Sequence, residues 1–180
     1  MRRDLTPAKD ILHELGLALA LGGTWFGKFH LDTAVKVLPS RSERGKVISA
    51  AWGSFLLSDA LGLGAGVATW LQERTRFAHR RGSVRALVRA KDVFLGTSVL
   101  AVVVNALSAA LLLREARGPA VPVETGLTAA PEATPRMVWL QQSMVATSFL
   151  HMLSTAGAMG VTQLLPPRRR ALLRGAKPVK

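Results

Sequence analysis

The sequence predicts an all-α fold: an integral membrane four-helix bundle that runs up-down-up-down with both termini in the cytoplasm. The first observation is hydropathy, because hydrophobic residues make up 49% of the 180 residues and gather in long stretches with almost no charge. The second is that Trp25, Trp52, Trp70 and Trp139 fall near the ends of those stretches, where amphipathic rings favour the membrane interface. The third is an uneven distribution of Lys and Arg along the chain.

The first predicted span, residues 11–31, is the weakest of the four. Only 13 uncharged residues separate Glu14 from Lys28, whereas about 20 apolar residues are needed to cross a bilayer core. We expect the Lys28 side chain to extend its ammonium group to the far interface, which lengthens the span. The alternative is a short interfacial helix, which would place the two termini on opposite sides of the membrane.

The other three predicted spans are residues 48–71, 92–113 and 137–165. Between Val47 and Gln72 the only charged residue is Asp59, and residues 93–113 contain none. In residues 137–165 the only side chain that can carry a charge is His151. Each stretch is long enough for a transmembrane helix.

Local signals predict where the helices begin and end. Ser40 and Glu43 have capping-box spacing, and Thr134–Pro135 combines an N-cap with a proline at the first helical position. The same pair occurs at Thr6–Pro7, and Pro166–Pro167 is expected to end the last helix. Residues 114–136 are rich in Pro, Ala and Thr without a hydrophobic period, which predicts a mobile external loop.

The basic residues predict the orientation of the chain. With four spans, 16 of the 24 Lys and Arg residues lie on the side of the termini and the middle loop, which is typical of the cytoplasmic side. The net charge of +13 therefore indicates membrane topology and contacts with anionic lipid headgroups, not nucleic-acid binding. We expect the cell inner (plasma) membrane as the location, with residues 166–180 as a basic cytoplasmic tail. The residues expected to contact headgroups are Arg74, Arg76, Arg80, Arg81, Arg85, Arg168, Arg169 and Arg170.

Small residues recur at helical spacing in the first two predicted spans. In lipid, helices associate through close packing of small residues rather than through a hydrophobic driving force. We therefore predict a packing contact between the two spans; the alternative is a groove for a lipid or a small apolar ligand. The predicted packing residues are Gly16, Ala20, Gly23 and Gly27 in the first span, and Ser54, Ser58, Gly62 and Gly66 in the second.

Polar side chains inside the spans predict a cluster within the bundle. Asp59 and His151 fall near the centres of their spans, so they are expected at similar depth. Because an isolated buried carboxylate is costly in a membrane, Asp59 is expected to face the bundle and His151. Asn105 and Thr147 are expected nearby, and Glu14 toward the cytoplasmic end of the first span.

Four interpretations of this cluster remain open from sequence. It can stabilise helix packing through hydrogen bonds, bind or transport a polar solute or lipid, or relay protons through Asp59, His151 and Glu14. With Met144 on the face of His151, monovalent copper is the fourth, although methionine commonly fills protein cores. We predict no metal and no cofactor.

Nothing in the sequence predicts an enzyme. Cysteine is absent, and there is no "HExxH" or "GxSxG" motif; "GLGAG" at Gly62–Gly66 lies inside an apolar helix, where it cannot serve as a phosphate loop. The leading expectation is a non-enzymatic membrane component with a structural or partner-assembly role, either as a homo-oligomer or with other membrane proteins. The alternative is a small transporter or ligand-binding protein that uses the cluster around Asp59 and His151.

The stretches "LGLALALGGTWFGKFHLDTAV" and "ERGKVISAAWGSFLLSDALGLGAGVATW", followed by "ALVRAKD", resemble uncharacterised small four-helix membrane proteins of actinobacteria. More loosely, they resemble bacterial relatives of transmembrane protein 205. The resemblance implies a fold and a compartment but no activity. It also implies that an amide commonly stands at the position of Asp59, which argues against an obligatory proton-carrying acid there.

Overall fold

The computed structural model describes residues 6–166, and the side chains of residues 8–166. Within that part the chain is helical and contains no strand; Val123 and Ala129 form an isolated bridge. The predicted Thr6–Pro7 cap, Arg168, Arg169, Arg170 and the rest of the predicted tail from residue 167 lie outside the described side chains. The four long helices are α1 (Thr6–Phe26), α2 (Arg41–Glu73), α3 (Ser83–Glu115) and α4 (Pro135–Leu164).

Three of these helices are long and apolar enough to cross a membrane: Arg41–Phe77, which is α2 with a short 3₁₀ extension, α3 and α4. The helix α1 is continued by a π-helical turn, Gly27–Leu31, and by short helical turns up to Val37. The predicted caps of two helices are present. Ser40 Oγ accepts a hydrogen bond from the backbone N–H of Glu43, and Thr134 Oγ1 accepts one from that of Met137.

The helices α1 and α2 cross at glycine residues without intervening side chains. A Cβ atom added to Gly62 would lie 2.7 Å from the carbonyl oxygen of Gly16, and one added to Gly66 would lie 2.6 Å from Leu17. Ala20 is completely buried beside them. Only glycine lets the two backbones approach this closely, so this half of the predicted small-residue contact is present.

Farther along the same contact, glycines of the first segment accommodate aromatic rings of α2. Space for a Cβ atom at Gly23 is taken by Phe55, and at Gly27 by Trp52. Ser54 does not take part in this contact, because it is exposed and donates its hydroxyl proton to the Ala51 carbonyl of its own helix. The two bulky rings fill the space that the predicted stripe assigned to small residues.

The helix α3 packs along α4, and α1 also contacts α4, whereas α2 and α3 meet at few residues. The space between α2 and α3 is therefore only partly filled by side chains. One buried apolar core contains residues of all four helices, around Leu17, Trp70, Leu95 and Ala158. This core lies toward the basic end of the helices, which contains the α2–α3 connection, and a second, smaller core lies at the opposite end.

The segment between α3 and α4 covers this opposite end, which we call the capped end. Although the sequence predicted a mobile loop, the Val121, Val123 and Ala130 side chains are buried, and Gly45 lies directly against the backbone of Val121. Arg44 donates hydrogen bonds to the backbone carbonyl and the carboxylate of Glu124. Buried valines and hydrogen bonds to Glu124 thus hold the loop against the helix ends, although the sequence of the loop has no hydrophobic period.

Arg41 also contacts this loop and forms ion pairs with two of its acidic residues. Its guanidinium pairs with the carboxylates of Glu124 and Glu132 at 2.9 and 3.0 Å. Hydrogen bonds from Arg41 and Arg44 to the Glu124 carboxylate hold the pKa of that group below its usual value. The loop is therefore held by charge as well as by apolar burial.

Candidate functional site

A cavity of about 310 Å³ occupies the space between α2 and α3 and reaches α4. Its walls are mainly apolar, with Trp52 and Leu56 on α2, Ala106 on α3 and Met144 on α4. Lys28 and the covering loop border it at the capped end, and Asp59 and His151 at the deep end. A mostly apolar hollow of this size with a few polar groups is typical of a small-molecule site.

Asp59 and His151 face each other across the deep end of the cavity. Asp59 Oδ1 lies 3.3 Å from His151 Nε2, and the two residues are 6% and 3% exposed. Their relative orientation does not form a regular hydrogen bond, and neither atom has another hydrogen-bond partner within residues 8–166. Buried polar atoms are almost always paired, so two unpaired ones beside a cavity call for an explanation.

The other ring nitrogen of His151 is fully engaged. His151 Nδ1 lies 2.7 Å from Ser98 Oγ, which in turn lies 2.9 Å from Thr155 Oγ1. Ser98 and Thr155 are completely buried, and their hydroxyls form no hydrogen bonds with other described residues. Both hydroxyl protons find acceptors only if Thr155 donates to Ser98 and Ser98 donates to His151 Nδ1. We therefore assign the ring proton of neutral His151 to Nε2, toward Asp59.

This order of Ser98, His151 and Asp59 superficially resembles the triad of a serine hydrolase. In such a triad the serine oxygen must meet the substrate, but Ser98 is completely buried and does not border the cavity. The carboxylate, which only orients the histidine in a triad, is the group at the cavity wall here. The arrangement is therefore suited to holding His151 in one orientation and not to nucleophilic attack.

Asn105 and Thr147 border the same cavity closer to the capped end. The Asn105 amide nitrogen donates to the Met144 carbonyl at 2.9 Å and to Ser148 Oγ at 2.8 Å, and it lies 3.2 Å from Thr147 Oγ1. Thr147 donates its own proton to carbonyls of α4. These contacts fix α3 to α4 beside the cavity.

Glu14 is not part of this cluster. It lies in the basic end of α1, where it is half-buried and interacts electrostatically with Lys91, whereas Asp59 is level with the later Gly16–Gly23 part of α1. The predicted set thus separates into Asp59, His151, Asn105 and Thr147 at the cavity, and Glu14 at a distance from it.

Sequence reasoning missed an ion pair at the capped end. Lys28 donates to Asp32 Oδ2 at 2.8 Å, and the Trp52 indole N–H donates to Asp32 Oδ1 at 2.8 Å. Lys28 is 4% exposed and Asp32 is completely buried, so the Lys28 ammonium does not extend to an interface as expected. The spacing of four residues between Lys28 and Asp32 on one helical face was the available signal.

A second missed cluster lies at the basic end. The Lys91 ammonium is completely buried; it donates to His13 Nε2 at 2.8 Å and to Thr162 Oγ1 at 2.5 Å, and lies 4.4 Å from the centre of the Trp70 ring. These partners come from the three other long helices, so the cluster joins all four. The sequence carried no local signal for this contact, because its members are distant along the chain.

Of the arginines predicted to contact headgroups, the five within the described residues lie between the end of α2 and the start of α3, and all five are exposed. Arg74 pairs with Asp92 at 2.9 Å, and Arg76 pairs with Glu73. Arg80, Arg81 and Arg85 are exposed at the same end. Among residues 8–166, no three His, Asp or Glu side chains come together in the manner of metal ligands.

Comparison of the chain with protein-family models, with curated proteins and with solved structures gave no match.

Proposed function

We propose that this chain is a polytopic protein of the inner membrane that binds a small, mainly apolar molecule in the cavity between α2 and α3. The observation that carries the proposal is the contrast between its two buried aspartates. Asp32 has both carboxylate oxygens hydrogen-bonded and an ammonium partner, as expected of a structural group. Asp59 forms no regular hydrogen bond with its neighbour His151 and borders the cavity.

The membrane placement is supported by apolar side chains on the outer faces of the helices. Leu57, Leu100 and Leu153, on three different helices, are 67%, 63% and 70% exposed, which is unfavourable in water. Leu15 on α1 is 63% exposed as well, which favours α1 as a fourth span over an interfacial helix. With four spans the helices form an up-down-up-down bundle, and the basic end lies in the cytoplasm with both termini, near anionic headgroups.

The sparse contact between α2 and α3 supports entry of the ligand from within the bilayer. Small side chains, Ala106, Ala109 and Ala110, line the α3 side of the gap, and Gly53 lies on the α2 side. An apolar ligand already dissolved in lipid can reach the cavity through this gap without crossing the loop at the capped end. The walls then bury its apolar part, and Asp59 and His151 hold its polar group.

The leading expectation from sequence was a structural or assembly role. In that role the gap between α2 and α3 has a different occupant. In that case a helix of a second copy or of another membrane protein fills the space between α2 and α3. Asp59 and His151 then only stabilise packing, and small amphiphiles do not bind.

Trp52 in the cavity wall allows a direct test. In full-length protein carrying Trp25→Phe and Trp139→Phe, the remaining tryptophans are Trp52 and the buried Trp70, which does not border the cavity. The probes are decyl chains with a terminal bromine and a hydroxyl, amine or carboxylate at the other end. We expect saturable quenching of Trp52 fluorescence by at least one of them.

Ala106→Phe fills the cavity and is expected to weaken this binding by about tenfold or more, about 1.4 kcal/mol. Ala146→Phe is the matched control, because Ala146 is exposed on α4 and does not border the cavity. Quenching that rises linearly for every probe, or that is equal in the two variants, would contradict the proposal and favour an assembly role.

A further inference from the structure

We infer that the molecule bound in this cavity is an uncharged apolar compound with a hydroxyl group, an alcohol or a phenol, whose hydroxyl is held by Asp59 and His151. The inference rests on the proposed function and specifies its ligand. It follows from the donors and acceptors that these two side chains present, since the rest of the wall is mainly apolar.

The hydrogen bond at His151 Nδ1 determines which donor and acceptor groups line the deep end of the cavity. Because Ser98 donates to Nδ1, the imidazole presents an N–H group at Nε2. Asp59 presents a carboxyl oxygen 3.3 Å away. One donor and one acceptor therefore stand side by side, and their mutual orientation leaves both without a regular hydrogen bond.

A hydroxyl is the small group that matches this pair. Its oxygen accepts a hydrogen bond from the His151 N–H, and its proton is donated to Asp59. A hydroxyl thus uses the donor and the acceptor of the wall at the same time, which a group that only donates or only accepts cannot do.

Charged groups match less well. An ammonium only donates, so near Asp59 it would face the His151 N–H group, which also donates. A carboxylate only accepts, so it would be repelled by ionised Asp59. At the other end of the cavity, Lys28 does not reverse this preference, because its ammonium is already paired with Asp32.

The length of the cavity suits an alkyl or ring compound rather than a small polar solute. Trp52 and Asp59 both border it and are seven residues apart on α2, so they lie about 10 Å apart along the helix axis. A hydroxyl at Asp59 thus places the apolar body beside Trp52 and Leu56.

The test compares head groups on one chain: 10-bromodecan-1-ol, 10-bromodecylamine, 10-bromodecanoic acid and 1-bromodecane, with Trp52 quenching as the readout. We expect the alcohol to bind at least about tenfold more tightly than the other three. Tightest binding of the amine or the acid would overturn the hydroxyl inference while leaving the proposed cavity function intact. Equal binding of the four would also overturn it, and absence of saturable binding by all four would overturn both proposals.

Variants of both residues locate the selectivity. His151→Gln keeps an N–H donor near the Nε2 position and should retain the preference for the alcohol, whereas His151→Leu should remove it. Asp59→Leu removes the acceptor and should weaken the binding of the alcohol by about tenfold or more, about 1.4 kcal/mol, with little change in the binding of 1-bromodecane. Unchanged alcohol binding in Asp59→Leu, with Trp70 emission also unchanged, would contradict the inference.

Discussion

The Lys91 ammonium donates a hydrogen bond to His13 Nε2 across 2.8 Å, which joins α3 to α1. His13 Nδ1 lies 2.8 Å from the carbonyl oxygen of Gly66, so it must carry the proton, and Nε2 is free to accept from Lys91. With Thr162 and the Trp70 ring as its other partners, the buried ammonium has one acceptor for each of its three N–H bonds.

This contact predicts that His13→Leu destabilises the protein by about 1–3 kcal/mol, because a buried charged donor is left without its acceptor. Adding Lys91→Met to His13→Leu should recover a large part of that loss. The measurement is the free energy of unfolding in mixed micelles. Lys9→Met, at an exposed lysine of α1, is the control and should have little effect; additive losses in the double variant would contradict the pairing.

The two buried aspartates should respond differently to the same substitution. Asp32→Asn leaves the buried Lys28 ammonium without a charged partner, so we expect a loss of about 3–5 kcal/mol in stability. Asp59→Asn breaks no regular hydrogen bond and should cost less than about 1 kcal/mol. Each variant serves as the control of the other in the same unfolding experiment. Equal losses would place Asp59 among the structural groups.

Glycine substitutions test the contact between α1 and α2. Gly16→Val places a side chain against the backbone of Gly62, so α1 must shift, and we expect a loss of about 1–3 kcal/mol. Gly22→Ala is the matched control, because no atom lies within 4 Å of its added Cβ. It should be neutral or stabilise the helix by up to about 1 kcal/mol. If Gly16→Val is as well tolerated as Gly22→Ala in thermal unfolding, the close approach is absent.

The tautomer of His151 can be measured by nitrogen NMR of the imidazole ring. We expect the proton on Nε2 in the unmodified protein, and a mixed or reversed tautomer in Ser98→Ala, which removes the donor to Nδ1. Ser154→Ala is the control, since Ser154 is buried on the same helix and makes no hydrogen bond to His151. A proton on Nδ1 in the unmodified protein would refute the assignment and remove the basis for a hydroxyl ligand.

The ionised Glu124 carboxylate is expected to stabilise the folded protein, and this contribution is expected to disappear at low pH. Its pKa is lower in the folded than in the unfolded state, so it contributes stability above its unfolded pKa of about 4.5 and loses that contribution as the pH falls through its folded pKa. Glu124→Gln should therefore be less stable than the unmodified protein at about pH 6, and this difference should shrink below about pH 4. Thermal unfolding at both pH values measures it. A stability difference that stays the same at both pH values would contradict this prediction.

The sequence predicted the helices well because their signals are local. Runs without charge, the caps at Ser40 and Thr134, and the spacing of Gly62 and Gly66 on one helix all depend on residues within a few turns of one another. It also indicated that Asp59 and His151 lie at similar depth, because depth follows from counting along each span. The loop over the capped end was missed, since its fold comes from contacts of Val121, Val123 and Glu124 with distant residues.

By itself, the sequence determined that the chain is helical, that three of its helices are long and apolar enough for a membrane, and that ionisable groups lie inside them. Only the tertiary structure decided what those groups do, because burial and pairing depend on which helices meet. Packing buried the Lys28–Asp32 pair and added the Trp52 indole N–H, and it gave Lys91 a full set of acceptors. Because α2 and α3 are separated by a gap, Asp59 and His151 lie beside a cavity and form no regular hydrogen bond with each other. The spacing of residues along a single helix does not predict such a gap.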